Sequence, residues 1–152
     1  MNLKDIVRIS VLLIIIVGYF LYEKSKETTY EEIMAQLINE EEVEHITVYS
    51  QIPLVKKTAS VTINDSELIF SIINEQIKLK KIDTRDLPPV MSTLVINTDK
   101  DSYKIGLREN SIMIGTERYL TTPVMNPIFM MLVKEDLDWE IIEYTPIIWK
   151  YN

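Results

Sequence analysis

The 152-residue chain has no cysteine, a single histidine and only three glycines, and each shortage closes off some chemistry. Without cysteine there is no disulfide framework, no thiolate nucleophile or metal ligand, and no residue for lipid attachment through sulfur. The same absence fits an oxidising or a reducing compartment equally well. His45 stands alone, so zinc lacks a second nitrogen or sulfur ligand and a Ser-based nucleophile has only one imidazole to turn to. Gly18, Gly106 and Gly115 are too scattered for a phosphate-cradling loop, and neither a serine-rich nor a proline-rich tract suggests a long disordered stalk. Basic residues are outnumbered 16 to 23, and a net charge of −7 opposes a nucleic-acid backbone. No cofactor, metal or nucleic-acid partner is expected.

What the chain does have comes first. Ile9–Leu21 is uncharged and follows Lys4 and Arg8. Counting Ile6–Tyr22 gives 17 residues, about 25 Å of helix against a hydrocarbon layer of about 30 Å. Arg8 is positioned to snorkel to one interface, and Tyr19 and Tyr22 to form an aromatic belt at the other. A charged start followed by a short apolar run is also the pattern of a cleaved signal peptide, but Tyr22-Glu23-Lys24-Ser25-Lys26 offers no pair of small residues for cleavage. The reading is a cytoplasmic stub at 1–5, a transmembrane anchor at 6–22 and a domain at 23–152. Lys24 and Lys26 nearly balance Lys4 and Arg8 in the positive-inside count. The brevity of the N-terminal stub, and 22 acidic against 14 basic residues from Glu23 onward, favour a single-pass protein of the cell membrane with its domain on the extracytoplasmic side.

Past the apolar run the pattern changes to short elements. Thr29-Tyr30-Glu31-Glu32 is a capping box opening a helix that carries Ile33, Leu37 and Ile38 to about Glu41. Alternation at Ile46 and Val48, then at Ala59, Val61 and Ile63, predicts two strands joined by a loop containing Pro53. Asn64-Asp65-Ser66-Glu67 caps a second helix ending near Gln76, and Ile77–Ile82 reads as a strand with Lys78 and Lys80 opposite Ile77 and Leu79. After the loop 83–89, which includes Pro88-Pro89, come strands at Leu94–Asn97, Ser102–Leu107, Ser111–Gly115 and Arg118–Thr121. A last helix runs from Pro127, just inside an Asn126 cap, to about Leu137. Consecutive hairpins make the fold class α+β, an antiparallel sheet with helices packed on one face and the other face wet or partner-covered.

Several residue groups bear on chemistry. His45 alternates with Ile46 and Val48, so it reads as a solvated strand histidine rather than a general base. Asn97-x-Asp99-x-Asp101 matches the start of a calcium loop, but Ser102 stands where glycine is needed and Arg108 where a bidentate glutamate is needed, so a hairpin turn explains it. Asp83, Arg85 and Asp86 offer a carboxylate pair with an electrostatic helper. Lys78, Lys80 and Lys81, joined by Lys56 and Lys57, make a basic stripe that reads as the guard of an edge strand. The C-terminal segment is unusually apolar: either it packs back as a tail or edge strand, or Ile147, Ile148, Trp149 and Tyr151 form an exposed anchor for a partner or the membrane interface.

Two resemblances follow from residues already named. The apolar start, the polar helix and paired strands, Val61-Thr62-Ile63-Asn64-Asp65-x-Glu67-Leu68-Ile69, and the hairpins with Tyr103-x-Ile105, Ile112-x-Ile114 and Arg118-Tyr119 resemble the small membrane- or lipid-anchored extracytoplasmic domains of low-GC Gram-positive bacteria, many without an assigned function. Thr29-Tyr30-Glu31-Glu32-Ile33 followed by Val43-Glu44-His45-Ile46-Thr47-Val48 is similar to the extracytoplasmic region after the first span of membrane-anchored AAA+ metalloproteases, but no Walker loop or His-Glu-x-x-His follows, so no protease activity is implied. The expectation is a tethered binding module without catalysis, an accessory subunit of a membrane or envelope complex. The alternatives are an immunity or inhibitor protein covering a basic toxin or enzyme, and a small envelope hydrolase using Asp83 and Asp86.

Overall fold

The computed structural model describes residues 3–52, 57–82 and 90–142. It opens with helix α1 (Leu3–Lys24), of which Ile6–Lys24 is long and apolar enough to cross a membrane and is wholly unburied by the rest of the chain. The apolar helix thus runs two residues beyond the expected Tyr22. A single N-terminal helix of this kind is compatible with a signal anchor or a signal peptide.

An antiparallel sheet of nine strands follows: β1 (Glu27–Thr29), β2 (Val43–Ile52), β3 (Lys57–Ile63), β4 (Lys78–Lys81), β5 (Ser92–Thr98), β6 (Ser102–Leu107), β7 (Ser111–Ile114), β8 (Glu117–Thr122) and β9 (Glu140–Ile142). Their spatial order is β1-β4-β8-β7-β6-β5-β2-β3-β9. Three short helices connect them: α2 (Tyr30–Ile38), α3 (Ser66–Ile73) and α4 (Pro127–Lys134). The architecture is the expected α+β, with helices on one face.

Local chemistry accounts for the helix starts. Thr29 accepts the Glu32 N–H while the Glu32 carboxylate accepts the Thr29 N–H, completing the capping box. Asp65 accepts from Leu68 N–H at 2.8 Å, and Asn126 accepts from Ile128 N–H at 3.1 Å with Pro127 in the first turn. The helix ends come earlier than periodicity suggests. Asn39 and Glu40 take left-handed φ values of 42° and 68°, which stops α2 at Ile38 rather than Glu41. Likewise α3 stops at Ile73 and α4 at Lys134, short of Gln76 and Leu137.

Period-2 alternation sends Ile46 and Val48, Val61 and Ile63, Leu94 and Ile96, Ile105 and Leu107, Ile112 and Ile114, and Leu79 to the same side. There they form one core with Tyr30, Met34 and Ile38 of α2, Ile69 and Ile72 of α3, and Ile128 and Leu132 of α4. At about 25 cal/mol per Å² of apolar surface removed from water, such fully buried Leu and Ile side chains contribute about 1.5–3 kcal/mol each. Each helix is also a long-range connection: α2 joins β1 to β2, α3 joins β3 to β4, and α4 joins β8 to β9, always between opposite halves of the sheet.

One strand, β1, lies outside the expected set. β1 pairs with β4 through Glu27–Lys80, Thr28–Leu79 and Thr29–Lys78, so β4 is an interior strand and its lysines do not guard an edge. Lys57, on β3, is six strands away from Lys78, so the two cannot share one stripe. At the opposite edge, β9 pairs with β3, bringing Ile141 beside Ala59.

Two features of the packing are directly testable. Gly106 lies under the chain leading into β5: a Cβ there would sit 2.5 Å from Val90 Cγ1 and 3.3 Å from Met113 Cβ. Gly106→Ala is expected to cost about 1–3 kcal/mol through overpacking, read from the urea midpoint of the full-length protein in detergent. An unchanged midpoint would mean that Val90 does not cover this strand. Tyr30 is fully buried and its hydroxyl has no hydrogen-bond partner among the described residues, and burial pushes the phenol pKa far upward. Tyr30→Phe removes an unsatisfied polar atom and should leave the midpoint unchanged or raise stability by about 1 kcal/mol; a clear loss would reveal a partner for the hydroxyl.

Candidate functional site

Antiparallel register puts directly opposed residues on the same side, so the helix-free face can be read strand by strand. Thr62 opposes Thr47, which opposes Val95 and, beyond it, Lys104. Ser60 opposes Tyr49, which opposes Thr93, and the row continues to Gly106, Met113 and Arg118. Around β2 and β3 this face is rich in hydroxyls, and Thr47, Tyr49, Ser60, Val95 and Asn97 are half-buried; farther along the row Thr93 and Met113 are buried and Val90 lies over Gly106, and Lys104, Arg118, Lys78 and Lys80 bring charge toward β4. His45 opposes Asn97 on this face, a strand position as expected.

The two ends of the sheet's strands differ in charge. At one end, where β5 turns into β6, Glu42 N–H donates to Asp99 Oδ1 at 3.1 Å and Asp99 N–H donates to the Glu42 carbonyl. The Tyr103 hydroxyl donates to Glu41 Oε2 at 3.0 Å, and Thr98 Oγ1 lies 2.6 Å from the same oxygen. Partial burial and then Glu41 push the Tyr103 phenol pKa up. The calcium-like residues are spent on the turn itself: Asn97 Oδ1 accepts from the Ser102 hydroxyl at 2.8 Å, and Asp101 Oδ1 from the Ser102 N–H at 2.7 Å. Among the described residues no group of three or more histidines or carboxylates could hold a metal ion.

A cleft of about 550 Å³ lies where α1 meets the sheet, lined by Lys24 of α1, Glu27, Thr28 and Thr29 of β1, Glu32 of α2, Lys78 to Lys80 of β4, and Thr122 of β8. Glu23 fixes its rim, with Oε2 2.7 Å from Lys80 Nζ and Oε1 3.3 Å from Lys26 Nζ. The Lys26 ammonium sits 4.3 Å from the centre of the Tyr22 ring. Glu23 raises the Lys80 pKa, chiefly through the hydrogen bond. A second hollow of about 330 Å³ lies between Met91, Arg108, Glu109, Asn110, Val124 and Met125.

Of the residues singled out in the sequence, Asp83, Arg85, Asp86, Ile147, Ile148, Trp149 and Tyr151 lie outside the described residues, as does the Pro53 loop. Sequence pattern alone does not reveal the α1 cleft. Its signal was the juxtaposition of Lys24 with Lys78 and Lys80, which only the β1–β4 pairing creates.

Glu32, on the wall of this cleft, is held below the ordinary carboxylate range by the Thr29 N–H first, then by the Thr28 hydroxyl at 3.0 Å. A depressed folded-state value means that its contribution to stability is fully present above the unfolded pKa of 4.5 and is lost as pH falls through the lowered one. Thr28→Val should move the Glu32 titration midpoint up toward the ordinary value in a carboxyl NMR titration; an unmoved midpoint would mean that this hydroxyl is not bonded in solution.

Comparison with known proteins gives no relative to place beside this chain: no family model, no curated protein and no solved structure matches it.

Proposed function

We propose that α1 is retained as an uncleaved signal anchor, and that the sheet domain works on the extracytoplasmic side as a binding module, without catalysis, within a membrane or envelope complex. The observation that carries this reading is the helix-free face of the sheet. All three connecting helices pack on the other side, leaving on β2, β3 and β5 a hydroxyl-rich, half-buried patch centred on Thr47, Tyr49 and Val95. Such a face binds through many small polar and apolar contacts rather than one deep pocket. The resemblance to anchored extracytoplasmic domains of low-GC Gram-positive bacteria supports the same placement.

A second reading has its own observation. Glu40, Glu41 and Glu42 come together with Asp99 and Asp101 at one strand end, an acidic rim suited to a cationic toxin or enzyme, as an immunity protein would present. The hydrolase alternative has no such support among the described residues.

Photo-crosslinking in native membranes separates these readings. A photoreactive residue at Tyr49 is expected to give one discrete protein adduct that a photoreactive residue at Ser71, exposed on α3, does not. The adduct should persist in high salt, where an acidic-rim complex is screened. Loss of the Tyr49 adduct with a salt-sensitive adduct at Asp99 would favour the immunity reading. No adduct from any position would remove the binding-module reading. Because the chain lacks cysteine, Ser71→Cys also gives a single thiol for a membrane-impermeant maleimide; labelling in intact cells is the expected result, and protection until lysis would reverse the orientation.

A further inference from the structure

The cleft beside α1 combines charges of both signs, and no aromatic side chain stands among its described lining residues. Register places Glu27 opposite Lys80, and Thr29 and Thr122 opposite Lys78, so these residues share the helix-free side of β1, β4 and β8. Lys80 is engaged by Glu23 at 2.7 Å, and the Glu32 carboxylate by the Thr29 N–H and the Thr28 hydroxyl. Lys24, Lys78 and Glu27 are exposed and make no ion pair among the described residues. A hollow of about 520 Å³ continues the cleft toward α2, sharing Thr29, Glu32 and Lys78 and adding Glu31.

Three observations define what this cleft would hold. The first is depth. The apolar part of α1 ends at Lys24, and its 19 residues make about 28 Å of helix against a hydrocarbon layer of about 30 Å. With α1 in a bilayer, Lys24 stands at the edge of a headgroup layer about 5–7 Å thick on each side. The Glu23–Lys80 bond holds β4 at the same level, so a headgroup reaches the cleft without its lipid leaving the bilayer. The second is charge. The Lys24 and Lys78 ammonium groups suit a phosphate, whereas Glu27, with Glu31 beyond it, suits a cation. A headgroup that is only anionic would leave these carboxylates facing it at a cost. The third is hydrogen bonding. A primary ammonium has N–H donors to give to Glu27, while a quaternary one has none and is recognised by aromatic rings, which the described lining does not supply.

We infer that the α1 cleft binds a phosphate ester carrying a primary amine, the phosphoethanolamine headgroup of a lipid in the bilayer that holds α1. Lys24 and Lys78 take the phosphate, and Glu27 accepts from the ammonium. This rests on the anchor reading. The volume of about 550 Å³ falls within the range of about 300–1,000 Å³ usual for small-molecule sites. Filling the cleft would hold β1 and β4 against a lipid as well as against α1.

The test uses full-length protein in nanodiscs of phosphatidylcholine containing phosphatidylethanolamine or phosphatidylglycerol, with the lipids retained on the released chain counted by native mass spectrometry. Retention of phosphatidylethanolamine over both other lipids is the expected result, lost in Lys78→Ala, weakened in Glu27→Gln and unchanged in Lys134→Ala on α4. The urea midpoint of each variant shows that its fold is intact. Equal retention of phosphatidylglycerol would mean that the cleft reads phosphate alone, and loss in Lys134→Ala that net charge is responsible; either overturns the inference. So does a chain that retains no phosphatidylethanolamine. Free glycerophosphoethanolamine, added to protein in phosphatidylcholine nanodiscs, separates the two sources of this chemistry: displacement of the retained lipid at equimolar concentration would make the ligand water-borne and overturn the lipid assignment. A fluorophore on Val11→Cys, with spin-labelled lipid as quencher, tests the anchor separately. An unquenched label removes the anchor reading, whereas a quenched label on a chain without retained phosphatidylethanolamine overturns only the headgroup site.

Discussion

Covering one apolar sheet face is the constraint on which the rest of this molecule depends. The inward side chains of the strands form a continuous Ile- and Leu-rich surface, and α2, α3 and α4, of nine, eight and eight residues, are what cover it. Helices this short do not persist in water alone, so they exist because the sheet packs them, and the sheet is dry because they lie across it. Each helix also carries the chain from one half of the sheet to the other, so closing the core and establishing the strand order are one event. Long-range pairing of this type makes folding slow relative to helical domains of similar size.

Much of this was legible in the sequence where a local rule sets the answer. The Thr29–Glu32 box, the Asp65 cap and the Asn126-Pro127 start each depend on residues within one turn, and all three helices begin where those residues indicate. Strands with clean alternation, such as Ser102–Leu107, appear with the expected bounds. What local rules missed was decided by partners distant in sequence. Glu27–Thr29 has no alternation to announce a strand and becomes one because β4 offers a free edge. By contrast Glu140–Ile142 pairs with β3, so the part of the C-terminal segment up to Ile142 is the edge strand that one of its two readings expects. The lysines of β4 illustrate the same lesson: their spacing was read correctly as an exposed face, but their role depended on a neighbour invisible to pattern.

The candidate surfaces follow from the same division of labour. With all helices on one side, the opposite face is covered only where Val90 lies over Gly106 and Met113, and elsewhere on β2 and β3 threonine, serine and tyrosine suit it as β-formers that tolerate water. Charge is sorted by position along the strands: carboxylates gather where β2 begins and β5 turns, while the α1 side mixes lysines with glutamates in defined pairs. The hydroxyl-rich face, the acidic rim and the α1 cleft are therefore separate regions of one small domain, and occupying one leaves the others open.

The connection between α1 and the sheet has a mechanical consequence. Only Ser25 and Lys26 separate α1 from β1, and β1 is a three-residue edge strand held by β4, by the Lys26–Lys81 backbone bond and by the Glu23 ion pairs. Any load applied along α1 therefore reaches β1 before any other part of the sheet. Since β1 is followed directly by Tyr30, whose buried ring opens α2, peeling this strand would pull α2 from the core and uncover the apolar face. The tether is thus wired to the element whose loss undoes the fold, which makes the β1–β4 junction the natural breaking point of the domain under tension.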